Sequence, residues 1–137
     1  MKNVFILSVL TALLAIYCKD NDDYSEITSV YAAKIDSVHI PMDTMALGVT
    51  QEMKLYSTFT RACEGIYSYD YQYTNDSVRT VANFAYKTND ACLDGTYVDG
   101  SRVNFKPEKK GTYIFKFFTG KDSAGINTFL QKKVVVE

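Results

Sequence analysis

"GTYIFKFFTG" (residues 111–120), followed across a polar, glycine-bearing turn by "NTFLQKKVVVE" (127–137), is the stretch that decides the fold. Tyr113, Phe115 and Phe117 share one parity there, the two-residue period of a strand with one face in a core. Working back along the chain, similar segments recur between turn signals. "SRVNF" (101–105) places Val103 and Phe105 inward, and "SVRTVANFAYK" (77–87) puts Val78, Ala82, Phe84 and Tyr86 on the expected core face and Arg79, Asn83 and Lys87 on the wet one. "IYSYDYQY" (66–73) alternates strictly. "VTQEMKLYSTFTRAC" (49–63) aligns Met53, Leu55 and Phe59, and "AAKIDSVHI" (32–40) carries Ile35 and Val38 before Pro41. No stretch holds a 3.6-residue apolar period. Seven short strands therefore predict an all-β chain, a single antiparallel β-sandwich over residues 31–137. Eleven Tyr and eight Phe, with no Trp, suit half-buried pleated surfaces.

The last thirty or so residues resemble the closing hairpin of immunoglobulin-like and PKD-like domains. There a Gly-x-Tyr opens the penultimate strand, a polar turn follows, and a Val-rich strand ends the domain. Gly111-Thr112-Tyr113 stands at the position of a tyrosine corner, so the resemblance implies a hydroxyl bonded back to nearby backbone. Phe115 occupies the place of the immunoglobulin cysteine.

The N-terminus has a different character. Met1-Lys2-Asn3 is a short positive start, and Val4 to Tyr17 is a 14-residue uncharged run. As a helix it would cover about 21 Å, short of the ~30 Å hydrocarbon core, so residues 1–17 read as a secretory leader, not a membrane span. Leu14-Ala15-Ile16-Tyr17-Cys18 resembles the signal of bacterial lipoproteins, although Tyr17 stands where Gly, Ala or Ser is usual. In that family the cysteine is acylated and becomes the new N-terminus. Lys19-Asp20-Asn21-Asp22-Asp23 is similar to the acidic cluster that directs Bacteroidota-type lipoproteins to the outer face. The resemblance implies fatty chains such as palmitate on Cys18 and an outer-membrane, lipid-anchored, surface-exposed protein. Two or three chains, at ~0.8 kcal/mol per buried CH₂, anchor stably. An ordinary secreted protein cut elsewhere is the alternative. Residues 18–30 then read as an acidic tether.

With Cys18 lipidated, Cys63 and Cys92 remain of the three cysteines. An exported domain sits in an oxidising setting, so the expected reading is a Cys63–Cys92 disulfide, a staple at loops distinct from the immunoglobulin bridge. Two free thiols are the rival. Neither lies in a Cys-x-x-Cys motif or beside a His.

Formal charge is −1 for the 137 residues, which offers no field for nucleic acid, and that class of partner is excluded. Tyr67, Tyr69, Tyr71 and Tyr73 form the most suggestive feature. Exposed, such a row could stack on sugar rings or dock a partner. Alternation with Ser68, Asp70 and Gln72 favours the row as core instead, with its end members at an exposed rim. Asn89, Asp90, Asp94 and Asp99 are hard oxygen ligands of the kind calcium needs, but their spacing is not an EF-hand's and turns demand the same residues. No metal or cofactor is expected. His39 is the only His, which points to a structural role at a strand end. No nucleophile elbow, phosphate loop or His–Cys arrangement is present, and no catalytic residue is assigned. Asp precedes Ser37, Thr44, Ser77 and Ser123, each followed by an apolar residue. This resembles the O-glycosylation sequon of exported Bacteroidota proteins, and it equally describes Asp-led turns.

The function expected is that of a non-catalytic surface module binding a glycan or protein partner. The competing expectation is a structural subunit of an envelope complex. The face of residues 66–73 that meets solvent distinguishes them.

Overall fold

The computed structural model describes residues 25–137, so the leader, Cys18 and the acidic cluster lie outside the described residues. The described chain is all-β. Its strands are β1 (Ile27–Ala33), β2 (Ser37–His39), β3 (Thr44–Met45), β4 (Gln51–Arg61), β5 (Glu64–Tyr73), β6 (Val78–Thr88), β7 (Asp94–Phe105), β8 (Gly111–Lys121) and β9 (Asn127–Val136). They form a six-stranded sheet, in the order β1-β6-β8-β9-β3 with β5 also on β6, and a three-stranded sheet β2-β4-β7. The expected seven antiparallel strands are thus nine, and the larger sheet is mixed, because β8 runs parallel to β6 and β3 parallel to β9.

The two unexpected strands, β1 and β3, carry no apolar period. β1 pairs with β6 through its backbone while Ile27 to Ala32 stay exposed, so residues 27–30, expected in the tether, belong to the sheet without any apolar alternation. β3 is two residues long, too short to show a period. The segment 32–40 also splits. Ile35 N donates to Phe118 O of the larger sheet and Asp36 N to Tyr56 O of the smaller, each at 2.8 Å, so the chain changes sheets between consecutive residues.

The core lies between the sheets. Met53 and Leu55 of β4 and Val103 and Phe105 of β7 share one buried cluster with Val81, Tyr113, Phe115, Phe117 and Val134 of the larger sheet. The rings of Tyr113 and Phe115 each meet that of Phe105 edge-on with centroids 5.0 Å apart, a favoured aromatic geometry. The β8–β9 hairpin folds as expected. Asp122 Oδ1 accepts from the backbone N–H of Ala124 and Ile126, both at 2.9 Å, and Gly125 takes the left-handed φ of 78° that closes the turn. The Tyr113 hydroxyl donates to Lys109 O at 2.9 Å, the back-bond expected of it.

β6 requires a correction. Its buried residues are Arg79, Val81, Asn83 and Ala85, not the expected Val78, Ala82, Phe84 and Tyr86. The reason is polar pairing. Asn83, fully buried, donates from Nδ2 to Ser57 Oγ of β4 at 3.0 Å and accepts at Oδ1 from Ser101 Oγ of β7 at 2.6 Å. A buried amide satisfied in this way costs little, whereas an unsatisfied one costs about 1–3 kcal/mol. The apolar set is left on the outer face.

Cys63 and Cys92 form a disulfide. Cys63 sits in the link from β4 to β5 and Cys92 in the link from β6 to β7. Both links cross from one sheet to the other, so the bond ties two crossings together, at loops as expected.

Candidate functional site

Among the described residues β5 pairs only with β6, and beyond Ile66 its other edge has no ladder partner. Tyr69, Tyr71 and Tyr73 stand opposite Asn83, Val81 and Arg79, which places them on the inner side of the larger sheet. The smaller sheet is narrower and ends at β7, so it leaves part of this overhang uncovered. Tyr69 is 44% exposed and Tyr73 73%, while Tyr71 is half-buried against the core cluster. A bulge between Ile66 and Ser68 breaks the strict alternation and leaves Tyr67 56% exposed. The row thus packs on the core at Tyr71 and is exposed at its end members Tyr67 and Tyr73, and the departure from the expected pattern is Tyr69. Burial pushes the Tyr71 hydroxyl up to about 12, against the opposing effect of Arg79, so it stays a neutral hydrogen-bonding group at neutral pH.

The N-terminal part of the β5 edge is met by β7. The Tyr97 hydroxyl donates to Glu64 O, and Ile66 N donates to Asp99 Oδ2 at 3.0 Å. Beyond Ile66 the Tyr row runs toward a cleft of about 360 Å³, where the β5–β6 turn faces the β7–β8 loop. Tyr73, Phe105 and Tyr113 supply its aromatic walls, and Arg79, Lys106 and Lys109 its cations, with Asp76 and Glu108 also at the lining. The Tyr71 and Tyr73 rings meet edge-on at 5.5 Å, so row and cleft are continuous.

The remaining sequence candidates are dispersed. Asp90 accepts from Ser25 and Thr88 hydroxyls, Asn89 accepts from Glu26 N, Asp94 pairs with Arg61 in the β4–β7 ladder, and Asp99 is spent on Ile66 N and Gly100 N. The calcium candidates fail to converge because residues 94–101 are strand, not loop. Among the described residues no group of three or more His, Cys, Asp or Glu side chains is placed to hold a metal. His39 is exposed at the end of β2 beside Asp43, Lys132 and Lys133. Ser37, Thr44, Ser77 and Ser123 are all exposed. Asp36 accepts from Thr58 N and Asp122 organises its turn, so two of the four Asp residues have structural work of their own.

The outer face of the larger sheet is a second surface, and it includes the β6 residues Ala82, Phe84 and Tyr86 that were expected in the core. Val30 lies opposite Tyr86 and Ala32 opposite Phe84. Phe118 meets Phe129 edge-on at 6.3 Å, and a trough of about 350 Å³ runs between Ala32, Ala82 and these two rings.

Comparison with protein-family models, curated proteins and solved structures finds no match to this chain.

Proposed function

We propose that this is a non-catalytic binding module, of immunoglobulin-like or PKD-like β-sandwich type, held by lipid at Cys18 on the outer membrane of a bacterium. It binds a glycan, or a protein partner, through Tyr67, Tyr69, Tyr71 and Tyr73. One observation carries the reading: three of those tyrosines are exposed along an open strand edge. Rigid aromatic faces with a polar tip are what sugar rings and partner surfaces require. Replacing Tyr69 and Tyr73 together by Ala should weaken binding to the cognate glycan on an array by at least about tenfold, with little change in melting temperature because both rings are exposed. Unchanged affinity would sink the reading.

The anchor is tested separately. Intact mass spectrometry of native protein should show a chain that begins at acylated Cys18, and a freely soluble product or a bare thiol there overturns it. The same spectra read the proposed sugars on Ser37, Thr44, Ser77 and Ser123, and unmodified peptides at all four sites remove that part. A structural role in an envelope complex is the second reading, favoured by the apolar outer face around Phe84, Tyr86, Phe118 and Phe129.

A further inference from the structure

We infer that the cleft at the end of the tyrosine row is an oxyanion subsite, taking the carboxylate or sulfate of an acidic sugar; the inference rests on the reading of the row as a glycan platform. Arg79 is the starting point. Its side chain is only 6% exposed, a burial that charged groups seldom reach without a counter-charge. Nη1 donates to Asn75 O at 2.6 Å and to Val78 O at 3.1 Å, and Nη2 to Asp76 O at 3.2 Å. The guanidinium carbon lies 4.2 Å from the Tyr73 ring centroid and 5.3 Å from that of Tyr113. Carbonyl dipoles and aromatic faces hold the cation in place but do not neutralise it.

Among the described residues no carboxylate lies within ion-pair distance of Arg79, and its Nε has no hydrogen-bond partner. A clamp for the β5–β6 turn would be complete with the carbonyl bonds alone. It would not account for the absent counter-charge or for two further lysines on the same cleft. Lys106 and Lys109 are exposed there. Their opponents are Asp76 and Glu108, and Asp76 already lies 3.7 Å from Lys109. Three cations therefore face two carboxylates, leaving a positive site against a low-dielectric wall.

The geometry divides the roles. A sugar stacked on Tyr73 would carry an acidic substituent toward the cleft, where Lys106 and Lys109 contact it directly. Arg79 acts as a positioning residue that fixes the Tyr73 ring and supplies background charge. Its substitution also releases three carbonyls, so the lysines are the cleaner probes.

Titration calorimetry with the detergent-solubilised full chain decides the matter. The probes are oligogalacturonate, its methyl-esterified form and a sulfated galactan oligomer. At least one acidic probe should bind about tenfold or more tightly than the methyl ester, with the preference shrinking as salt shortens the screening length. Preference for the uronate or for the sulfate supports the subsite and identifies the oxyanion. Lys106→Gln with Lys109→Gln should abolish the preference and leave the methyl ester's affinity unchanged. Equal binding of charged and esterified sugars overturns the subsite while leaving the tyrosine platform standing. No binding of any of the three overturns both for this class of sugar.

Discussion

Phe115→Ala should lower the free energy of unfolding by about 3–5 kcal/mol, the largest effect expected of any single substitution in this domain. Phe115 is fully buried near the middle of β8, where the larger sheet meets Phe105 of β7 edge-on at 5.0 Å and stacks on Phe117 at 6.1 Å. Truncation removes the buried ring and leaves a void that neighbours on two sheets cannot both collapse into, so transfer and cavity terms add. Urea unfolding should show a lower midpoint with an unchanged slope, the signature of lost stability without a change in the surface exposed. Phe129→Ala is the control. That ring is 37% exposed on the outer face, and its loss should cost far less. A Phe115→Ala loss below about 1 kcal/mol would mean that the sheets do not pack through this ring.

Removing the disulfide comes second. Cys63 and Cys92 are 29 residues apart, and the chain-entropy estimate for a loop of that size is about 3–4 kcal/mol. The native backbone around the bond has independent support. Ala62 N donates to Leu93 O and Thr88 N to Cys63 O, both at 2.9 Å. The Cys63→Ser, Cys92→Ser double variant should therefore keep its fold while melting roughly 10–20 °C lower. Reductant should lower the melting temperature of the native protein by a similar amount and leave the variant unaffected. A variant as stable as the parent would show that the crosslink removes no freedom from the unfolded chain.

The closing hairpin was legible because every cue in it is local: Tyr113, Phe115 and Phe117 alternate, and Asp122 and Gly125 specify the turn. The inner face of β6 was not. Arg79 and Asn83 read as solvent-facing by residue type, and what turns them inward is a set of partners that a one-dimensional pattern cannot display. Asn83 finds Ser57 and Ser101, which are 26 and 18 residues away. β1 has no signal in its residue pattern because the ladder to β6, not burial, holds it. The tyrosines were recognised as a row, but their exposure depends on how far the smaller sheet reaches. The cleft could not be read at all, since it exists only where the turn at 74–77 meets the loop at 106–110.

The amide of Asn83 carries a consequence for how the domain assembles. Moving any one of its three strands along by a single residue would carry its polar group away from the other two and seat the amide among hydrocarbon. Mispaired arrangements of the two layers are penalised at that one point, so the residue serves as an alignment key, admitting a single mutual setting of β4, β6 and β7.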